Sequence, residues 1–245
     1  MAESNIYESQ RLLDEYLLFH YGSEAEVFSD AEIPYPAAMR EALGFTSRTV
    51  GYFGDFSVKR GLDLGCAVGA STFAMAEHCE HVIGIDYSHA FIAAATALQQ
   101  GKTIDYHRHD EAGRHQELRA QAAGRIDLCF FEQGDAMELR ADLGSFDRVH
   151  AANLICRLPR PQALLDRLPE LVRPGGELIL ATPCTWLEEF TPPSAWPQTD
   201  TFSWLHQELG IHFELMHRCH EAFLIRETAR KFQWSQSLVT CWQRR

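Results

Sequence analysis

The clearest pattern in this chain is a series of short apolar segments that alternate with helix-like stretches. The first passes through Leu62 and Leu64 into a glycine-rich turn, and the next ends at Gly84-Ile85-Asp86. Three later segments repeat the plan: Phe130 to Gln133, Phe146 to Leu154, and Leu178 to Thr182 after a Pro-Gly-Gly turn. Apolar runs bounded by turn residues and separated by helical patterns are typical of a parallel sheet with crossover helices. The pattern therefore predicts an α/β fold.

The region before the first strand has helical periodicity. Apolar residues three and four apart predict an amphipathic helix that ends near Tyr21-Gly22. Pro34-Tyr35-Pro36 breaks the chain before a second predicted helix, Ala37 to Leu43. We interpret residues 1–56 as a helical cap and residues 57–245 as the core of a single domain.

The end of the chain predicts a β-hairpin. Ala222 to Glu227 and Phe232 to Trp242 are the two strands, and Thr228-Ala229-Arg230 is the connection. We expect this hairpin to close the sheet, with the last strand antiparallel.

The glycine turn indicates the class of ligand. An apolar strand that enters a glycine turn, with an acid at the end of the next strand, is how an α/β sheet holds a ribose-containing cofactor. A dinucleotide site requires G-x-G-x-x-G, but here Ala67 separates Gly65 from Gly69. Asp63 precedes the turn, where a positively charged ligand is favoured over a pyrophosphate. The turn therefore favours a cationic cofactor.

The amino-acid composition limits which classes of binding partner are expected. The chain has 245 residues, 46% hydrophobic content and a net charge of −12, which disfavours nucleic acid. It has no long apolar span and no basic-then-apolar leader, and its seven cysteines have no paired spacing. We therefore expect a cytoplasmic protein with free thiols, no membrane partner and a small-molecule substrate.

The polar stretch from Asp105 to Ile126 interrupts the plan between the second and third strands. It contains His107, His109 and His115, but we find neither a helical nor a strand-like ligand spacing in it. We therefore interpret it as an insertion and predict no metal site.

The strand and turn at residues 61–69 resemble motif I of class I S-adenosylmethionine-dependent methyltransferases. The resemblance implies a Rossmann-like fold with a seven-stranded, mostly parallel sheet, an antiparallel last strand and an N-terminal helical cap. It implies that Asp63 and the Gly65 turn bind the amino-acid end of S-adenosyl-L-methionine, that Asp86 binds the ribose, and that an acid after the third strand meets the adenine. The candidate cofactor-binding residues are Asp63, Gly65, Cys66, Ala67, Gly69, Asp86, Tyr87, Gly134, Asp135, Ala136 and Asn153. Within this set we interpret Cys66 as a small packing residue rather than a nucleophile.

Five longer strings resemble a narrower family, the 4-mercaptohistidine (5-thiohistidine) N1-methyltransferases of ovothiol biosynthesis. They are Glu15 to Gly22, Ile85 to Phe91, Ala152 to Leu158, Thr185 to Pro192, and Phe223 to Lys231. The resemblance implies methylation of a ring nitrogen of 5-thiohistidine to give ovothiol A. It also implies a functional partnership with a sulfoxide synthase that supplies the thiol.

A thiohistidine substrate defines candidate residues. Its carboxylate and ammonium groups would need an arginine and acids or carbonyls, and its ring would need positioning groups. The candidate substrate-binding residues are Tyr7, Tyr16, His20, Tyr35, Arg157, Trp186, Glu188, Glu189, Arg226 and Glu227, and the candidate catalytic residues are Asn153, Tyr16 and His20. Because the attacking nitrogen has a lone pair in one tautomer, no strong base is required. We expect an acceptor such as Asn153 or His20 to select that tautomer.

Two other functions remain open from the sequence. The first is a class I methyltransferase that acts on histidine or another small heteroaromatic or amino-acid substrate. The second is a non-catalytic module that binds S-adenosylmethionine without transferring its methyl group.

Overall fold

A computed structural model describes residues 6–28 and 34–245. Its main sheet has seven strands in the order β5-β2-β1-β6-β7-β9-β8. Neighbouring strands pair in parallel except at β9, which is antiparallel to both β7 and β8. The strands are β1 Val58–Leu64, β2 Cys79–Asp86, β5 Cys129–Gln133, β6 Phe146–Ala152, β7 Val172–Thr182, β8 Phe213–Arg226 and β9 Phe232–Arg244. The predicted seven-stranded, mostly parallel sheet with an antiparallel last strand is confirmed.

Helices pack on both faces of this sheet. They are α1 Gln10–Tyr21, α2 Glu24–Phe28, α3 Ala37–Glu41, α4 Phe45–Val50, α5 Ala70–Met75, α6 His89–Gln99, α7 Pro161–Leu171 and α8 Thr201–Leu209. Adjacent residues of β2, Val82 and Ile83, belong to separate buried clusters because successive side chains of a strand point to opposite faces. Within residues 6–28 and 34–245, no helix combines the length and apolar character needed to cross a membrane.

Helix α1 forms where the apolar periodicity predicted it. The Ser9 hydroxyl accepts a hydrogen bond from the Leu12 amide at 3.3 Å and so caps the first turn. The helix ends before Gly22, whose amide donates to the Leu18 carbonyl. The second predicted helix is shorter than expected, because α3 ends at Glu41 and a turn follows.

The polar stretch at residues 105–126 has secondary structure that the sequence analysis did not predict. The segment is an insertion between β2 and β5, but most of it is an antiparallel hairpin of β3 Ile104–Glu111 and β4 Arg114–Ala120. Its buried face carries Tyr106 and Arg108, two residues apart. The Arg108 guanidinium donates to Asp110 at 3.0 Å and to the Glu26 carbonyl at 2.9 Å, which stabilises its charge in the interior.

The closing hairpin is longer than predicted. Strand β8 begins at Phe213, nine residues before the expected Ala222, and β9 continues to Arg244. The predicted Pro-Gly-Gly turn also lies inside β7, as an irregularity between its pairings at Val172 and Glu177. The tip of the β8–β9 hairpin therefore extends past β7, whose pairing with β9 starts at Leu238, and β8 contacts helices α1 and α4.

Candidate functional site

The turn between β1 and α5 has the backbone shape of a ligand cradle. Gly65, Ala67 and Gly69 have φ angles of 69°, 47° and 92°, all in the left-handed region. The amides of Gly65 and Cys66 donate to the Ile85 carbonyl at 2.8 and 3.1 Å. These bonds tie the turn to the end of β2. The turn is therefore held beside the acid that follows Ile85.

That acid, Asp86, is the centre of the site. One carboxylate oxygen accepts from the Ala67 amide and the other from the Ser88 amide, both at 2.9 Å. Burial raises the pKa of Asp86, and these two backbone donors oppose the rise. Each oxygen keeps a further lone pair, so the pair of oxygens can accept two neighbouring hydroxyl groups. This fits the predicted role at a ribose.

Asp63 occupies a different environment from Asp86. Its side chain is 1% exposed, and it accepts the hydroxyls of Ser71 at 2.6 Å and Thr72 at 2.7 Å. Its other oxygen lies 2.8 Å from His150 Nδ1. The structure therefore places Asp63 beneath the turn, where it joins β1, α5 and β6.

The end of β5 completes the cofactor side of the site. The Gly134 amide donates to the Asp86 carbonyl at 2.9 Å, and Asp135 caps the Met137 amide at 2.8 Å. Ala136 is buried, whereas the Tyr87 side chain is 59% exposed. The structure thus brings the predicted segments around residues 65–69, 86–87 and 134–136 together at one edge of the sheet.

Phe131 is a residue that the sequence reasoning missed. A Cβ atom built on Gly69 or on Gly84 would lie 2.8 Å from its ring. These glycines therefore leave the space in which the Phe131 ring packs.

Helix α1 lies against the turn. The Tyr21 hydroxyl donates to the Val68 carbonyl at 2.6 Å, and the Ala70 amide donates to His20 Nδ1 at 3.3 Å. Burial lowers the pKa of His20 to about 4, so the ring is neutral at pH 7, with its proton on Nε2. Burial also raises the pKa of the Cys66 thiol, which supports a packing role.

A short 3-10 turn, Ile6–Glu8, lies over the same edge. The Ser88 hydroxyl donates to the Tyr7 carbonyl at 2.9 Å, and Glu8 accepts the amides of His89 and Ala90. The Tyr7 ring lies 6.3 Å from that of Tyr16. Burial raises the pKa of Tyr7, and the Arg157 guanidinium opposes the rise. Tyr7, Tyr16 and Arg157 are therefore neighbours at the Asp86 end of the site.

Arg157 is held by the loop that follows β7. It donates to the Thr185 carbonyl at 2.8 Å, and its guanidinium carbon lies 4.9 Å from the centre of the Phe190 ring. The Phe190 ring is also 6.4 Å from that of Tyr7. Phe190 was not among the predicted site residues, although the Trp186 loop that contains it was.

Asn153 follows β6 in a left-handed conformation, with φ of 56°. Its amide donates to the Ala181 carbonyl at 2.7 Å, and its side-chain oxygen accepts the Ser237 hydroxyl at 2.6 Å. Ser237 is fully buried on β9 and was also missed from the sequence. The acceptor atoms that we predicted on Asn153 and His20 therefore already have donors in the protein.

Several predicted substrate residues lie elsewhere. Trp186 donates its indole N–H to Thr201 at 2.9 Å and packs on Trp204, beside α8. Glu188 and Glu189 are exposed on the same loop. The others gather at the tip of the closing hairpin: Tyr35 packs on Phe232, Glu227 pairs with Lys231, and Arg226 bonds Asp110 and the Val27 carbonyl. These contacts give Arg226 and Glu227 structural partners.

Comparison with known proteins agrees with this geometry. The family model for a methyltransferase domain matches residues 62–180. Ubiquinone biosynthesis O-methyltransferase of Aromatoleum aromaticum is 30% identical over 57% of this chain and 49% of its own length. Trans-aconitate 2-methyltransferase of Deinococcus radiodurans is 34% identical over 50% of this chain and 37% of its own length. The chain spans about half the length of the curated relatives it matches.

Solved structures extend the likeness to the whole fold. Magnesium protoporphyrin IX methyltransferase of Synechocystis PCC 6803, solved with bound SAM, has a TM-score of 0.55 and 16% identity, covering 99% of this chain and 100% of its own. N-methyltransferase NodS of Bradyrhizobium japonicum WM9, in complex with S-adenosyl-L-homocysteine, has a TM-score of 0.56 and 16% identity, covering 95% and 98%.

The sheet order, the left-handed turn and the acid at the end of β2 define a Rossmann-like fold of the class I methyltransferase type. More particularly, residues 62–180 match the family model of a methyltransferase domain, and the chain is similar to curated methyltransferases over about half of its length.

Proposed function

We propose that this chain methylates a ring nitrogen of 5-thiohistidine to give ovothiol A. The observation that carries the proposal is the position of Arg157, beside Tyr7 and over the Phe190 ring at the Asp86 end of the site. A cation flanked by aromatic rings suits a small aromatic amino acid, whose carboxylate would bind the guanidinium. The sequence strings that resemble the thiohistidine methyltransferases support this choice within that class.

The bound cofactor supplies a methyl group on a positively charged sulfur. The protein contributes position: Asp86 and the residue 65–69 turn would hold the cofactor, while Tyr7, Tyr16 and Arg157 would orient the acceptor ring. Positioning of this kind contributes roughly 7–11 kcal/mol to barrier lowering in well-oriented reactions. Arg157 keeps donor capacity for a carboxylate, because a guanidinium has five N–H groups.

The proposed function also includes a domain organisation and a partner enzyme. The cap, residues 1–56, and the core, residues 57–245, would act as one methyltransferase domain. A separate sulfoxide synthase would supply thiohistidine, since methyl transfer itself forms no bond between sulfur and the ring. Histidine or another small heteroaromatic or amino-acid substrate is the alternative acceptor.

Product analysis tests the proposal. The protein is incubated with labelled S-adenosylmethionine and either 5-thiohistidine or histidine, and the site of methylation is read by mass spectrometry and NMR. We expect ring-nitrogen methylation of thiohistidine at a kcat/KM at least tenfold above that for histidine. Equal or faster methylation of histidine would contradict the proposal and would favour histidine or a related small molecule as the methyl acceptor.

An arginine pair tests the carboxylate contact. Arg157→Ala should raise the KM for the amino acid by about 10- to 100-fold, as expected for a lost charge-assisted hydrogen bond. Arg160→Ala is the matched control, because Arg160 is exposed and pairs with Glu138. An unchanged KM in Arg157→Ala would remove Arg157 from the substrate site.

A further inference from the structure

The hydrogen bonds of two predicted catalytic residues, Asn153 and His20, restrict which groups they can offer a substrate. Asn153 Oδ1 accepts from Ser237, and within residues 6–28 and 34–245 its Nδ2 group makes no hydrogen bond. His20 Nδ1 accepts from the Ala70 amide, which leaves the proton on Nε2. The side-chain groups that remain for a ligand are therefore both donors.

Donors at these positions are incompatible with selecting the reactive tautomer of an imidazole. A neutral imidazole has one N–H and one lone-pair nitrogen. For the attacking nitrogen to keep its lone pair, the other nitrogen must carry the hydrogen, and that N–H requires an acceptor. A donor from Asn153 or His20 to the second nitrogen would stabilise the opposite tautomer, with the hydrogen on the attacking atom. These donors must therefore meet another part of the substrate.

Resting on the proposed function, we propose that Asn153 and His20 bind the sulfur of thiohistidine as a thiolate, and that Ser237 is the positioning residue that fixes Asn153 as a donor. A thiolate accepts hydrogen bonds, whereas histidine has no group at that ring position. The two donors would hold sulfur away from the methyl group and reduce its electron density. The same contacts would thus select thiohistidine over histidine and direct methylation to nitrogen.

The transfer balances without a general base. The substrate ring enters with a thiolate and one N–H, so it carries one negative charge on the ring system. The lone pair of the attacking nitrogen forms the new N–C bond as the C–S bond of the sulfonium breaks, and the bonding pair stays on the cofactor sulfur. The products are neutral S-adenosylhomocysteine and an N-methylimidazolium thiolate without net charge on the ring system. No proton leaves during the step.

Ser237 is well placed for this positioning role. It is fully buried, and its hydroxyl lies 2.6 Å from Asn153 Oδ1 across the end of β7. The Asn153 backbone is itself fixed by its hydrogen bond to Ala181. Because both the backbone and the side-chain oxygen of Asn153 are held by hydrogen bonds, its carboxamide has one orientation.

Asn153→Asp tests the donor directly, because it replaces Nδ2 by an oxygen of similar size and keeps an acceptor for Ser237. We expect thiohistidine to bind about 10- to 100-fold more weakly in the presence of S-adenosylhomocysteine, measured by calorimetry, with histidine binding changed less than threefold. We also expect the fraction of S-methylated product to rise at least tenfold. Unchanged thiohistidine affinity and an unchanged ratio of S- to N-methylation would overturn the proposal.

Ser237→Ala tests the positioning role, with Ser235→Ala, two residues earlier on β9, as the matched control. Ser237→Ala should raise the S-methylated fraction, and it should have no further effect in an Asn153→Ala background. An equal change in that background, or an equal effect of Ser235→Ala, would reduce Ser237 to a packing role. A wild-type protein that fails to methylate thiohistidine would overturn the proposed function. Nitrogen methylation that is indifferent to Asn153→Asp would overturn this inference alone.

Discussion

Replacing Asp63 should separate the stability of the fold from the binding of the cofactor. The carboxylate is buried and lies within hydrogen-bond distance of Ser71, Thr72 and His150. Asp63→Ala would remove the acceptor of three buried groups on two elements, α5 and β6. Asp63→Asn would keep an oxygen for the hydroxyls and would place an amide N–H₂ against the histidine ring.

The size of the effect follows from these contacts. A buried donor that loses its acceptor costs about 1–3 kcal/mol, and values for neighbouring groups do not simply add. Taking about 1–1.5 kcal/mol for each of the three donors, Asp63→Ala should lower the free energy of unfolding by about 3–5 kcal/mol. Asp63→Asn disturbs mainly the His150 contact and should cost about 1–3 kcal/mol.

Urea unfolding followed by tryptophan fluorescence measures these changes, and calorimetry with S-adenosylhomocysteine measures cofactor affinity in the folded protein. Asp105→Asn is the control, because its carboxylate is 74% exposed and pairs with an exposed Arg119. It should change stability by less than about 0.5 kcal/mol. The reasoning would be refuted if Asp63→Asn kept wild-type stability and abolished cofactor binding, since Asp63 would then act on the cofactor directly.

Three further outcomes are expected. Asp86→Asn should weaken S-adenosylhomocysteine binding at least about tenfold in calorimetry, because a carboxylate that would accept two ribose hydroxyls is lost; an unchanged Kd would place the ribose elsewhere. His20 has a pKa lowered to about 4, so between about pH 4 and 6.5 the unfolded state binds more protons, and acidification across this range should remove up to about 3 kcal/mol of stability. Urea titrations should show this part of the pH dependence missing in His20→Phe, and parallel curves would contradict it. Gly69→Ala should lower the free energy of unfolding by about 1–3 kcal/mol in urea titrations, because φ is 92° and the new methyl would lie 2.8 Å from Phe131. Gly101→Ala, with φ of 76° and open space, isolates the backbone contribution, and equal losses in both variants would exclude the steric one.

The parallel strands were predictable because their chemistry is local. Each apolar run and its terminal glycine or acid are adjacent in sequence, so the pattern places Asp86 at the end of β2 without knowledge of the fold. The hairpin β3–β4 was missed for a physical reason. Its inward face includes Arg108 at a position where strand alternation would place an apolar side chain. Asp110 compensates the charge of Arg108, but no sequence pattern indicates this ion pair. The alternation of apolar and polar residues expected of a strand was therefore not visible in the sequence.

The site was predictable only in part, because its substrate side depends on contacts between distant segments. Ser237 follows Asn153 by 84 positions, and nothing near either residue indicates the pair. The same holds for Tyr7 and Phe190, which meet only because the N-terminal turn and the loop after β7 reach one edge of the sheet. Arg226 stays a predicted substrate residue, and its hydrogen bonds to Asp110 and the Val27 carbonyl were equally invisible in the sequence.

The 3-10 turn Ile6–Glu8 is fastened to the segment that follows Asp86, and this attachment would affect how the proposed cofactor site opens. Ser88 donates to the Tyr7 carbonyl, and Glu8 accepts two amides at the start of α6, three residues after Asp86, which would bind the ribose. In the proposed site, spent cofactor that leaves past this turn would require these three hydrogen bonds to break. The residence time of S-adenosylhomocysteine, and with it the strength of product inhibition, would then depend on how often residues 6–8 detach from the start of α6.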